Sequence, residues 1–310
     1  MPLNVLFAAT PERWATYEPA LHRAFKGAGL DVRLALDIPA GEVDYVVYAP
    51  NSELQDFTPY IRTKAVLNLW AGVEGIVGNE TLTQPLARMV DPGMTRSMTE
   101  WVTGHVLRHH LGMDQHILHQ DGDWTPVVPP LAEERRVCVL GLGELGTSVA
   151  QTLKSLRFDV SGWSRSPKDV PGIETFNGGT GLDDALRSAE ILVLLLPDTP
   201  ATQNTLDARR LALMPQGAFI INPGRGPLID DDALLDALDS GQIAHATLDV
   251  FRIEPLPKEH PFWAHPQVTV TPHIAAETRA RTASEVIAEN IRRGEAGEPF
   301  LYLVDRTLGY

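Results

Sequence analysis

Residues 137–146 read Val-Cys-Val-Leu-Gly-Leu-Gly-Glu-Leu-Gly, and a stretch of helical character, TSVAQTLKSL, follows at 147–156. A strand, a glycine-rich turn and a helix in that order form the unit that holds a dinucleotide. Gly141 permits the tight turn, Gly143 lets the backbone approach a pyrophosphate, and Gly146 lets helix and strand pack closely. The opening helix residues Glu144, Leu145 and Gly146 then offer N–H groups to the anion. A glycine-rich loop is also found as a plain turn; the flanking strand and helix favour the dinucleotide reading.

Working outward, further apolar runs come at regular intervals: FDVSGW at 158–163, ILVLLL at 191–196, AFII at 218–221, ATLDV at 246–250 and VTVT at 268–271. Several are apolar on both faces, as parallel strands covered by helices are. The segments LDDALRSA (182–189) and DDALLDALDSG (231–241) supply such helices. This predicts an α/β fold with a Rossmann-type doubly wound parallel sheet. The first 95 residues repeat the theme in NVLFAA, VDYVVYA, AVLNLW and ARMV, predicting a second, smaller α/β domain of flavodoxin-like kind. Its first helix is expected from about Glu12 to Phe25. One long connecting helix is expected over 95–120, and the tail PFLYLV at 299–304 is expected to return to the first domain. The domain limits are set at 1–95 with 282–310 for a substrate-binding domain and 96–281 for a nucleotide-binding one.

Composition narrows the class. The 310 residues are 44% hydrophobic and 21% charged, typical of folded globular chains, and suffice for two domains. A formal charge of -14, from 26 basic against 40 acidic residues, disfavours nucleic acid and anionic membranes as partners. Cys138 is the single cysteine, which excludes an intramolecular disulfide and a thiolate-rich metal site; its place in a strand reads as a small hydrophobe. The start, MPLNVLFAAT, lacks the basic and long apolar regions of a secretory signal, so a cytoplasmic location is expected.

Beyond the second strand of the nucleotide domain stand Ser164, Arg165 and Ser166, where an acidic residue would hold the ribose hydroxyls of NAD. Arg165 between two hydroxyls suits a 2′-phosphate instead, with Lys168 nearby, which selects NADP. The plainer reading of Arg165 is a solvated loop residue. Three later segments lie beyond predicted strands: Ile221 to Gly226 with Arg225, Asp249 to Pro255 with Glu254, and Thr271 to Ala276 with His273. In an open α/β sheet that edge binds ligands, so these three side chains are expected to converge. A histidine beside a carboxylate suits proton transfer near neutral pH, and a guanidinium forks onto a carboxylate. The plainer readings are a helix-capping imidazole for His273, and turn residues for Glu254 and Arg225.

Together with the glycine loop, these segments resemble the D-isomer-specific 2-hydroxyacid dehydrogenase family over most of residues 65–303. Within it, WSRS at 163–166, GM at 93–94 and MTEW at 98–101 are similar to the branch of short glyoxylate/hydroxypyruvate reductases. The resemblance implies reduction of a small 2-oxo acid by NADPH. It implies that Arg225 binds the 2-oxo acid, that Glu254 and His273 form the acid–base pair, and that Asp249 contacts the nicotinamide carboxamide. Pro197, after the run at 191–196, is assigned to the cofactor site on the same basis. The loop Leu69-Trp70-Ala71-Gly72-Val73 is implied to offer N–H groups to the substrate carboxylate. Family members often carry a small residue then Gly-Ala-Gly-Val-Asp there; Trp70 and Glu74 depart from that pattern.

Other features read more plainly. His105 and His109 are four residues apart, but no third ligand or H-E-x-x-H pattern accompanies them, so no metal is expected. His109, His110, His116 and His119 are expected on an interface or solvated face, and the resemblance implies a homodimer through residues 96–120. Trp101, Trp124 and Trp263 are left open among core, interface and pocket. Two other functions stay open: a phenylpyruvate-type reductase and, in a different class, a nucleotide-sensing transcriptional corepressor scaffold. A formate dehydrogenase is disfavoured, because its relatives carry Gln where Glu254 stands.

Overall fold

The computed structural model describes residues 2–122 and 124–309. Its first elements are β1 (Leu3–Ala8), α1 (Pro11–Gly27), β2 (Val32–Ala35), β3 (Tyr45–Tyr48), β4 (Ala65–Asn68), β5 (Leu86–Ala87), α2 (Pro92–His110) and α3 (Met113–Leu118). There follow β6 (Arg136–Leu140), α4 (Glu144–Ser155), β7 (Asp159–Ser164), β8 (Glu174–Asn177), α5 (Gly178–Ser188), β9 (Ile191–Leu194) and α6 (Ala208–Leu211). The chain ends with β10 (Ala218–Asn222), α7 (Asp231–Asp239), β11 (Ile243–Leu248), β12 (Val268–Val270) and α8 (Ala280–Ala296). It divides into two units, Met1–Met94 with Thr278–Tyr310, and Thr95–Glu277.

In the first unit five parallel strands lie in the order β2-β1-β3-β4-β5, the flavodoxin-like doubly wound order. The C-terminal tail closes this sheet's far edge: Leu303 bridges Ala87 in antiparallel sense, and the Arg88 N–H donates to the Tyr302 carbonyl at 3.0 Å. The second unit holds seven parallel strands in the order β12-β11-β10-β9-β6-β7-β8. Its central strands are buried on both faces, which is why they read as unbroken apolar runs; Ile191, Leu192, Val193 and Leu194 are all inaccessible to solvent. Each such side chain contributes about 1.5–3 kcal/mol by leaving water. Cys138 is buried in β6, and desolvation pushes its thiol up to about 12, so it is a packing residue rather than a nucleophile. α7 begins where its sequence demands, with the Asp230 carboxyl accepting the Ala233 N–H at 3.0 Å.

The structure corrects two expectations. The single helix over 95–120 is two: α2 starts earlier, where the Asp91 carboxyl caps the N–H groups of Gly93 and Met94 (2.7 and 3.1 Å), and it stops at His110. Gly112 then adopts φ +60°, a left-handed conformation that ends a helix, before the short α3. His109 and His110 are buried, not on a solvated or interfacial face. His109 stacks on Phe219, with ring centroids 4.8 Å apart, and pairs with the Thr247 hydroxyl at 2.9 Å; His110 packs edge-on against Phe158. Desolvation, then the neighbouring His245, Arg108 and His105, push the His109 imidazole down to about 3, so it packs as a neutral ring. His116 and His119 are exposed.

Candidate active site

Because the seven strands of the second unit are parallel, every loop leaving a strand's carboxyl end emerges on one edge of the sheet. Read across that edge from β12 to β7, the order is His273, Asp249 and Glu254, Arg225, Pro197, the glycine loop, then Ser164 to Ser166. Sequence order therefore becomes spatial order, with the acid–base candidates on one half and the phosphate and ribose candidates on the other. The strand order reverses between β9 and β6, the place where doubly wound sheets open a crevice for ligands.

The glycine loop has the steric character its sequence suggests. Gly141 adopts φ +106°, and a Cβ there would lie 2.5 Å from the Leu195 carbonyl oxygen. A Cβ on Gly146 would lie 1.8 Å from the Gly141 carbonyl, so side chains at either place would push the loop, the β9 end and α4 apart. Gly143 meets nothing within 4 Å in the protein, so the backbone there is open to a group approaching from outside. The N–H groups of Glu144, Leu145 and Gly146 are in the first turn of α4, whose opening donors have no partner within the helix. These residues fit a dinucleotide.

At the end of β7 the Gly141 N–H donates to the Trp163 carbonyl at 2.8 Å, tying the glycine loop to the segment that carries the ribose candidates. Ser164 is buried and its hydroxyl donates to the Ser166 carbonyl at 2.7 Å, which closes a turn and leaves Arg165 and Lys168 exposed beside it. The Pro197 carbonyl accepts the Thr202 hydroxyl at 2.6 Å, fixing the loop beyond β9.

Arg225 rides a turn clasped by a buried amide. The Asn222 side chain, at the end of β10, donates to the Arg225 carbonyl at 2.9 Å and accepts the Gly224 N–H at 3.1 Å. One guanidinium N–H donates to the Gly224 carbonyl at 2.7 Å.

Glu254 and His273 meet: Nδ1 of His273 lies 2.7 Å from Oε2 of Glu254. A carboxylate only accepts, so Nδ1 carries the hydrogen and Nε2 is the ring nitrogen left for chemistry. The other oxygen, Oε1, accepts the Phe251 N–H at 2.9 Å. Burial opposes charge on Glu254, but the hydrogen bonds from His273 and Phe251 and the charges of His273 and Arg225 outweigh it. They hold the carboxyl below its ordinary value. Among these influences the charge of Arg225 is the smallest.

Asp249, which the resemblance implies beside the nicotinamide carboxamide, also anchors a loop. It is fully buried: Oδ1 accepts the Thr271 hydroxyl (2.5 Å) and the Ile274 N–H (3.0 Å), and Oδ2 accepts the Ala275 N–H (2.8 Å). Its carbonyl accepts the His273 N–H at 2.9 Å, and its own N–H donates to Asn222 at 3.0 Å. Its bonds hold the loop in which His273 adopts φ +54°, a conformation that non-glycine residues rarely take without support. Neither Asn222 nor this use of Asp249 was legible beforehand; a polar residue ending a strand carries no signal of what it will bond.

In the first unit, Leu69 to Val73 follow β4. The Leu69 N–H donates to the Tyr48 carbonyl at 2.7 Å, and the Trp70 carbonyl accepts the Met89 N–H at 3.0 Å. Among the described residues no group of three or more His, Cys, Asp or Glu could hold a metal ion, and no helix is long and apolar enough to cross a membrane. Trp101 packs against the core of the second unit, whereas Trp124 is 96% exposed and Trp263 about half exposed.

The sequence model for the NAD binding domain of D-isomer specific 2-hydroxyacid dehydrogenases matches residues 103–275. The glyoxylate/hydroxypyruvate reductase A of Serratia proteamaculans (strain 568) is 43% identical over 257 residues, 80% of this chain and 82% of that protein. Among solved structures, a D-isomer specific 2-hydroxyacid dehydrogenase from Xanthobacter autotrophicus Py2, in complex with NADPH and MES, is 42% identical. It covers 100% of both chains with a TM-score of 0.94. An NADPH-dependent glyoxylate/hydroxypyruvate reductase from Sinorhizobium meliloti, in complex with NADP and sulfate, is 34% identical with a TM-score of 0.87, over 100% of this chain and 99% of that one.

Proposed function

The chain belongs to the D-isomer specific 2-hydroxyacid dehydrogenase family, and from that premise we propose that it reduces glyoxylate or hydroxypyruvate to the 2-hydroxy acid with NADPH. The observation that carries this reading is the 2.7 Å contact of His273 with Glu254, on the sheet edge that also bears the glycine loop. Bound NADPH supplies the hydride to C2 of the substrate. Arg225 forks onto the 2-oxo acid and fixes its plane, and the N–H groups of the loop from Trp70 to Val73 receive its carboxylate. His273 delivers the proton from Nε2 to the oxygen at C2, while Glu254 orients the ring through Nδ1. Asp249 serves as a positioning residue that holds the His273 loop. The glycine loop and the first turn of α4 hold the pyrophosphate, and Arg165 and Ser166, presented by the turn that the Ser164 hydroxyl closes, face the 2′-phosphate.

Oxidation of NADPH, followed with a panel of 2-oxo acids, tests the reading. Turnover is expected with glyoxylate and hydroxypyruvate, and phenylpyruvate in the same panel tests the bulkier substrate class. Absence of turnover with every acid would favour the corepressor alternative. In the same assay Arg165→Ala is expected to lower kcat/KM for NADPH about 10- to 100-fold, the weight of a charge-assisted fork, while NADH turnover stays the same. An unchanged NADPH preference would remove Arg165 from the cofactor site.

The chain assembles as a homodimer through residues 96–120 and the segment after them. The support is a run of exposed apolar side chains, Ile117, Leu118, Trp124, Val128 and Leu131, more than an isolated surface of this kind normally carries. Sedimentation velocity is expected to give a dimer, and Ile117→Asp with Trp124→Asp a monomer; a monomeric parent protein would refute the assembly.

A further inference from the structure

The residue at the end of β4 has no place in the chemistry above, yet its side chain is committed to it. Asn68 is 1% exposed, and its Nδ2 donates twice, to the carbonyls of Trp70 at 2.9 Å and Gly72 at 3.0 Å. Its Oδ1 is buried without a hydrogen-bond partner. The amide cannot be turned over to relieve this, because its oxygen would then face two carbonyl oxygens. An unpartnered buried acceptor weakens a fold and offsets part of what the two donated hydrogen bonds contribute, so stability is not the whole of what the amide provides. What it supplies is a pair of donors in a fixed fork.

The effect on the loop follows from peptide geometry. In a trans peptide the C=O and the following N–H point in opposite directions. With the carbonyls of Trp70 and Gly72 both drawn onto Asn68, the N–H groups of Ala71 and Val73 are both turned away from it. Two alternate backbone N–H groups facing one side make a small anion-binding concavity. We propose that Asn68 is a positioning residue for substrate: its amide sets the peptide planes of the Trp70–Val73 loop so that the N–H groups of Ala71 and Val73 converge on the substrate carboxylate. The inference rests on the reading of that loop as the carboxylate site.

The test compares Asn68→Leu and Asn68→Ser with the parent enzyme, measuring KM for glyoxylate, kcat, KM for NADPH and Tm. Both variants are expected to raise KM for glyoxylate about tenfold or more, the worth of one well-placed pair of hydrogen bonds. kcat is expected to change less than about threefold and KM for NADPH to stay unchanged, a split that a general loss of structure does not produce. An unchanged KM for glyoxylate in both variants would overturn the proposal, as would a joint rise of both KM values or loss of folding in both, since the amide would then serve the fold. The underlying reading fails separately and visibly: replacing glyoxylate by its uncharged amide should cost the parent enzyme more than it costs Asn68→Leu. A parent enzyme that treats acid and amide alike would show that no carboxylate site exists and would remove both readings together.

Discussion

Replacing His273 by alanine is expected to lower the rate of reduction about 10² to 10⁴-fold, the usual weight of a general acid, while NADPH still binds. The pH dependence identifies the group. Reduction needs the charged imidazole and loses rate towards alkaline pH, whereas oxidation of the 2-hydroxy acid needs the neutral ring and gains rate in the same direction. On the acid side the limb belongs to Glu254. Burial works against its charge, but His273, the Phe251 N–H and Arg225 together hold it below its ordinary value. Reduction is therefore expected to keep its plateau to more acidic pH than an ordinary glutamate would allow before it falls. Glu254→Gln should abolish that acid limb, because the carboxyl that takes up the proton there is gone. The measurement is kcat/KM against pH in both directions. An acid limb that stays in place in Glu254→Gln would show that it does not belong to this carboxylate, despite the 2.7 Å between Glu254 and His273.

How far such a site is legible in a sequence depends on which residues carry the signal. The central strands of the second unit announced themselves because burial on both faces demands an unbroken apolar run, as in Ile191 to Leu194. β2 and β8 went unseen because both are edge strands, partly exposed, with polar residues such as Arg33 and Glu174 in them. The glycine loop was legible because steric exclusion at Gly141 and Gly146 leaves a fixed spacing. Hydrogen-bonding side chains are harder to read. Asn68 and Asn222 each end a strand and each clasp the loop that follows, but asparagine at a strand end satisfies many geometries. Asp249 was assigned to the cofactor by resemblance, and only its enclosure by Thr271, Ile274 and Ala275 reveals the loop it holds. The histidines of α2 show the same limit, since burial of His109 depends on Phe219 and Thr247 in distant strands.

Arg225→Lys is expected to lower kcat/KM for glyoxylate about 10²-fold with KM for NADPH unchanged, because lysine keeps the charge but not the planar fork. The turn itself should survive: Asn222 clasps it through the Gly224 N–H and the Arg225 carbonyl, both main-chain groups that any side chain at 225 retains. The fall in activity can then be assigned to the guanidinium. Charge and shape are separable here because Arg225 also acts at a distance on Glu254, helping to hold its carboxyl ionised. Arg225→Lys should leave the acid limb of the pH profile where it is. Arg225→Met, which removes the charge as well, should move that limb to higher pH, since a carboxyl that loses a cationic neighbour protonates more easily. Two profiles and two values of kcat/KM thus distinguish a substrate fork from a background charge. Parent-like turnover in Arg225→Lys would remove the fork from the substrate site, and an acid limb unmoved in Arg225→Met would show that Arg225 and Glu254 do not share one electrostatic site.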